Sequence, residues 1–338
     1  MLTDFFNAIV LLLNFVIVPA LSYGSQLALS ALAVTLIYAI LRFANFAQGD
    51  TMALSTVITI LLTWLLQKYG IGLGFLPTAF LALPMAIVVC LFYMLMVDKF
   101  IYRYYREQNS KPITVVMVSV GVMFVTAGLV RFIIGPDHHI FSDGARFIIT
   151  ARDFKTMTGL SEGLALKTSQ FLTIVTAVIL VGGVFYFLQK TKTGKAMRAY
   201  SDNKDLALLS GIDPDWIVRV TWILAAVLTT IAGVLFGLDK GFMANSYHQL
   251  LLPTFASVIV GGIGSPVGAI VGGFVISFSE LMLTYAYKKF LIYLLPAFLE
   301  PGGLVQFLGT EYKFAISFVI LVIVLLIRPT GIFKGKVI

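Results

Sequence analysis

Apolar residues in this chain fill long unbroken blocks instead of alternating with polar ones. The blocks lie at about 5 to 20, 24 to 41, 51 to 68, 76 to 97, 113 to 134, 169 to 189, 216 to 238 and 313 to 327. Each approaches the roughly 20 residues that an α-helix needs to cross a hydrocarbon core. Short polar connections separate them, so the pattern predicts an all-α polytopic membrane protein, a single transmembrane domain over residues 1–338. Alternating ten-residue segments, the sign of a membrane β-barrel, are absent. The opening MLTDFFNAIVLLLNFVIVPALS lacks a positive leader and carries Asp4, so it reads as an uncleaved first helix and not a signal peptide.

Charge placement orients these blocks. Lys99, Arg103, Arg106 and Lys111 crowd one connection, and Lys190, Lys192, Lys195, Arg198 and Lys204 crowd another, which places both in the cytoplasm. Two blocks lie between these connections, so a shared side is self-consistent. The loop at about 135–168 is then external, its basic residues balanced by Asp137, Asp143, Asp153 and Glu162. Counting back puts the N-terminus inside. Arg328, Lys334 and Lys336 favour the inside for the tail, so both termini are expected to be cytoplasmic.

That count makes a demand on the stretch 254–285, which must then start and end outside. Its core, FASVIVGGIGSPVGAIVGG, holds six glycines and a proline, and both residue types weaken a helix. A helix over 254–263 covers only about half the hydrocarbon core. A turn at Gly262 to Ser265 and a second helix from Pro266 satisfy the count, since proline suits a first helical turn. We therefore expect a broken, re-entrant hairpin and about ten membrane segments, the hairpin counted as two. Gly264, Gly268 and Gly272 form one small-residue face that admits another backbone. The alternative is an ordinary single helix with a GxxxG packing face.

Three further places carry polar groups where apolar ones are expected. In LRFANFAQGDTMAL, Arg42, Asn45, Gln48, Gly49 and Asp50 interrupt apolar sequence. They mark either a cytoplasmic turn or a second backbone break that matches the glycine stretch (Gly261, Gly262, Gly264, Ser265) in the other half; paired breaks point to a transport pathway. Glu280 is an acidic residue inside a later helix, where a carboxylate needs a cavity or a partner. The segment at about 190–215 holds a short amphipathic helix with Gly194, Arg198, Asp205 and Leu208, closed by Gly211. Such a helix suits docking of a partner protein, or else lies on the lipid headgroups.

Composition narrows the chemistry. The chain is 59% hydrophobic and 12% charged, against about 25% charged in soluble domains. Its formal net charge of +8 sits in loops between blocks, where topology signals belong, and gives no sign of nucleic-acid binding. Cys90 has no partner for a disulfide. Gly262-Ile-Gly264-Ser-Pro-Val-Gly268 is one residue too long for a dinucleotide fingerprint, and QKTKTGKAM lacks the first glycine and the Ser or Thr of a P-loop. His138 and His139 adjoin in a loop, and His248 is the third histidine, so no metal set is expected. No convergent catalytic group is recognisable, and the chain reads as a non-enzyme.

The stretches TKTGKAMRAYSDNKDLALLSGID, TWILAAVLTTIAGVLFG, FASVIVGGIGSPVGAIVGGFVISFSE and TEYKFAISFVILVIVLLIRPTGIF resemble, in order, the second half of the permease subunits of branched-chain amino acid ABC importers. In the first half, GSQLALSALAVTLIYAILRFANFAQGD resembles the family's Asn-Phe-Ala-His-Gly-Glu region, with Gln48 and Asp50 in place of His and Glu. The resemblance implies one half of a pore in a bacterial inner membrane, moving an amino acid inward by ATP-driven alternating access. It implies as partners a second, similar permease, cytoplasmic ATPase subunits that bind the ATP, and an external solute-binding protein. The segment from Gly194 to Gly211 would be the ATPase contact. Urea and short-amide permeases share this pattern, and an ATP-independent channel is the rival that would need no docking helix.

Overall fold

The computed structural model describes residues 2–141, 144–295 and 301–333; Asp143, Pro296, Lys334 and Lys336 lie outside the described residues. The helices are α1 (Leu2–Leu12), α2 (Val18–Leu41), α3 (Gln48–Lys68), α4 (Ala79–Val97), α5 (Arg103–Glu107), α6 (Pro112–Ile134), α7 (Ala151–Thr158), α8 (Thr168–Lys190), α9 (Lys192–Asp202), α10 (Lys204–Leu209), α11 (Pro214–Lys240), α12 (Ala244–Gln249), α13 (Leu251–Gly261), α14 (Pro266–Thr284), α15 (Lys288–Leu294) and α16 (Lys313–Ile327). Among the described residues, eight helices are long and apolar enough to cross a membrane. The protein is an all-α polytopic membrane protein, apart from one small sheet.

The first two apolar blocks form one continuous helix. Residues 3–41 run without a break because a π-helical turn at Leu13–Ile17 absorbs the missing amide of Pro19. Ser22, Gly24 and Gln26, at and just after the join of the blocks, are all buried: Gly24 lies against α14, and Gln26 donates to the Leu235 carbonyl of α11 at 3.4 Å. A Cβ on Gly24 would lie 2.6 Å from Phe274, and one on Gly273 would lie 2.8 Å from the Ala28 amide, so the two backbones meet through glycine.

Arg103 pairs with Asp215 at 3.5 Å, which puts the two basic connections on one face, as their charge implies. Arg42 bonds the Ser201 carbonyl, so the end of α2 is on that basic face too. The other end of the long helix is bonded to the 135–168 loop: the Asn7 and Asn14 side chains accept from the amides of Glu162 and Ala165 at 3.1 and 3.0 Å. The described start of the long helix and the end of α2 therefore lie toward opposite faces, only the latter on the basic side. One crossing drops out where two blocks become one helix.

The loop expected to be unstructured is ordered. Phe147–Ile149 (β1) pairs antiparallel with Leu166–Lys167 (β2), with Phe147 opposite Lys167, and α7 lies between them, capped by Thr150. Beside it, α15 packs on α1, where Tyr293 donates to Glu162 at 2.9 Å and Lys289 lies 3.6 Å from the same carboxylate.

The glycine stretch breaks at 262–265. Gly262 has φ +113 and Gly264 φ +84, conformations that exclude most side chains, and Ser265 caps α14 by accepting from the Gly268 amide. α13 and α14 pack antiparallel through the small-residue face. A Cβ on Gly272 would lie 2.0 Å from the Ser257 carbonyl oxygen, and one on Gly268 would lie 2.4 Å from that of Gly261. Gly272→Ala is expected to destabilise the purified protein by roughly 1–3 kcal/mol through overpacking. Gly182→Ala, where nothing lies within 4 Å, should leave its melting temperature equal or higher. Equal melting of the two variants in detergent would refute the close approach.

Candidate functional site

Between Leu41 and Gln48 the chain leaves the helix while still inside the bundle. Arg42 turns it with a left-handed φ of 58, and residues 43–47 run on as non-helical backbone. Backbone groups buried away from water need partners, and side chains supply them. Ser119 Oγ accepts from the Phe46 amide at 3.1 Å, and Asn45 Oδ1 accepts from the Ala47 amide at 3.2 Å. Tyr102 donates to that same Asn45 oxygen at 3.2 Å and stacks on Trp222. A second π-helical turn, Asp98–Tyr102, sets Tyr102 in this position.

The break delivers the first turn of α3 deep into the structure. Gln48 donates to Thr229 Oγ1 at 2.8 Å, and Thr229 lies past the midpoint of the 27-residue α11. Opposite this turn stands another interruption, the α12 segment between α11 and α13. Gly49 permits the contact, since its Cβ would lie 2.7 Å from the Tyr247 carbonyl oxygen. Asp50, nearly enclosed, faces His248 Nδ1 at 3.0 Å. The other His248 surface is partly open, so the pair lies at the boundary between the packed interior and a free face.

The residues proposed from sequence thus divide into separate places. Asn45, Gln48, Gly49 and Asp50 come together, but their counterpart is Tyr247 and His248, not the glycine stretch. Gly261 and Gly262 receive the C-terminal tail instead: the Ile332 and Phe333 amides donate to the Val260 and Gly261 carbonyls at 2.9 and 3.0 Å. Gly331 lies against Gly262, where added Cβ atoms would collide with backbone. Ser265 is spent on its cap, while Gly264 has open space around it. Glu280 belongs to a third place. It is fully buried, with Lys313 at 3.4 Å and Ser317 donating to it, and the same lysine lies over the Tyr23 ring. That cluster ties α16 to α14 and α2. His248 went unrecognised in sequence because its acidic partner lies 198 residues away.

On the basic face, α9 and α10 are capped by Thr191 and Asn203, which accept from the Gly194 and Leu206 amides. Gly194 is buried on the end of α8, where a Cβ would lie 2.2 Å from the Phe187 carbonyl oxygen, and Arg198 is half-buried. Asp205, Leu208 and Gly211 are exposed, and Gly211 turns the chain with φ +78. Beside them stand Leu206, Trp216 and Leu209, the last 85% exposed. An apolar patch of this kind on an otherwise charged face marks an interaction surface. The last turn of α9 is fastened to the end of α2: Ser201 Oγ donates to the Ala39 carbonyl at 3.0 Å, and Arg42 donates to the Ser201 carbonyl.

Residues 16–325 match the family described as branched-chain amino acid transport system, permease component. The chain belongs to this family. It is 28% identical, over 91% of both chains, to the high-affinity branched-chain amino acid transport system permease protein LivH of Escherichia coli. It is also 29% identical, over 93% of this chain and 90% of the other, to the probable branched-chain amino acid transport permease protein LivH of Methanocaldococcus jannaschii. The corresponding protein BraD of Pseudomonas aeruginosa is 25% identical over 94% of each chain. The chain is accordingly a multi-pass transport permease subunit of the ABC class.

The Asp50–His248 contact is expected to couple the two interruptions energetically. A double-mutant cycle of Asp50→Asn and His248→Ala, read by thermal unfolding, should give an interaction of about 1 kcal/mol. Strictly additive effects would mean that the two residues do not hold these segments together.

Proposed function

We propose that this permease is one half of the pore of an ABC importer that moves branched-chain or closely related amino acids into the cell. The basic face is cytoplasmic, by its Lys and Arg content, and the long first helix starts outside. The partners are a second homologous permease, cytoplasmic ATPase subunits that bind ATP, an external solute-binding protein and the surrounding lipid of the inner membrane. The branched-chain amino acid transport for which the relatives are named supports the substrate class.

The observation that carries the mechanism is the fastening of α9 to α2. The exposed patch on α10 and Trp216 receives the ATPase, and ATP-driven closure displaces α9 and α10 as a unit. The displacement passes through Ser201 to Arg42 and so to residues 43–47, whose far end holds Asn45, Gln48 and Asp50 beside His248. Because that segment is non-helical, it changes dihedral angles more readily than a helix. Polar groups at this depth then meet the passing solute on alternate sides, which is alternating access. The glycine break at 262–265 completes a re-entrant hairpin that the tail locks from the cytoplasmic side.

Co-purification with the ATPase subunits tests the docking surface. Leu206→Glu combined with Leu209→Glu should lower ATPase recovery about tenfold with the protein still folded. Arg42→Ala should keep the ATPases bound yet lower the amino acid moved per ATP hydrolysed in proteoliposomes. A wild-type chain that brings down no ATPase and still passes solute would instead be a channel.

A further inference from the structure

A cavity of about 400 Å³ opens on the face opposite the docking patch, away from the Asp50–His248 contact. Its size is that of a small-molecule site. One wall is the start of α8, with Thr168 and Ser169; the other is the end of α11, with Leu238, Asp239 and Lys240. Two of these side chains are buried, each with an oxygen that has no hydrogen bond. The Asp239 side chain is 3% exposed and its Oδ1 accepts no hydrogen bond; the nearest cation, Lys167 Nζ, is 3.8 Å away, and Lys240 Nζ lies 3.4 Å from the other oxygen. Thr168 is 2% exposed and its hydroxyl has no partner. A buried polar oxygen left without a hydrogen bond is costly, and here two belong to residues that line one cavity.

The charges around it select a ligand. Arg146, Lys167 and Lys240 disfavour a simple cation, while the enclosed Asp239 disfavours a simple anion. Helix ends divide the space in the same sense: the start of α8 favours negative charge and the end of α11 favours positive charge. A molecule that carries both charges a few ångströms apart suits the charges of the described walls. Ile140, Phe141 and Pro77 add an apolar side.

We propose that this cavity is an entry site for a free zwitterionic amino acid with an apolar side chain, occupied before the solute reaches the Asp50–His248 level. Asp239 Oδ1 accepts from the ammonium, Lys167, Arg146 and the start of α8 hold the carboxylate, and the Thr168 hydroxyl, able to donate and accept, bridges them. The assignment rests on the importer reading. A purely structural role for Asp239, as counterion of two lysines, leaves Oδ1 and the Thr168 hydroxyl unbonded and gives the cavity no occupant.

The test uses the assembled complex in nanodiscs, without ATP or solute-binding protein, and tritiated L-leucine as probe. Asp239→Asn and Thr168→Val should each weaken leucine binding roughly tenfold, as the loss of a buried polar contact does. On the wild type, L-leucinamide, which lacks the carboxylate, and 4-methylpentanoate, which lacks the ammonium, should each compete about tenfold less well than leucine. That competition stands even if a variant fails to fold. Analogues that compete as well as leucine, or an Asp239→Asn complex that binds like wild type while wild type still takes up leucine, would overturn the entry site alone. So would variants that lose capture of the solute-binding protein but keep leucine binding, since the carboxylate would then be a protein's. If wild type neither binds nor transports any amino acid, the importer reading falls and the entry site with it.

Discussion

Backbone that leaves a helix inside an apolar bundle must find hydrogen-bond partners there, because neither lipid nor apolar side chains supply them. This requirement governs where the permease can be interrupted. At 43–47 the partners are Ser119 and Asn45, with Tyr102 holding Asn45 in place. At 262–265 they are the Ser265 hydroxyl and the C-terminal tail, which adds two backbone bonds to the end of α13. Near Pro19 and before Tyr102 no break is needed, since a π-helical turn reroutes the ladder.

The breaks at 43–47 and 262–265 serve different ends. The glycine break is closed on itself: its glycines admit the α14 backbone and the tail at distances that any Cβ would forbid. The earlier break is held largely by side chains and is bonded at one end to the surface segment α9. In the proposed mechanism the segment held in that way is the moving part, and the one sealed by backbone contacts is the pivot. Glu280 belongs with the pivot, because its buried pairing with Lys313 fixes α16, a helix that otherwise has little buried surface, to the bundle.

Much of this was legible in the residues. Apolar blocks announced the membrane helices, the glycine and proline spacing announced a break from Gly262 with a new helix at Pro266, and the basic connections were correctly assigned to one face. The family resemblance joined GGIGS to RPTGIF only as two motifs in one chain; the fold shows that they touch. The first helix was misdivided because Ser22, Gly24 and Gln26 look like a connection, whereas in the bundle all three are buried, Gly24 against α14 and Gln26 against α11.

What the sequence determined by itself was every property that local chemistry decides. Composition fixes the solvent, helix-breaking residues fix where backbone can bend, and clustered lysine and arginine fix which loops share a side. What only the tertiary structure decided was partnership. Asp50 meets His248 and not the glycine stretch, Asn7 meets Glu162, and Asp239 meets an open cavity beside Thr168. Those pairings join atoms that are up to two hundred residues apart, and no periodicity or spacing encodes such a distance until the helices have packed.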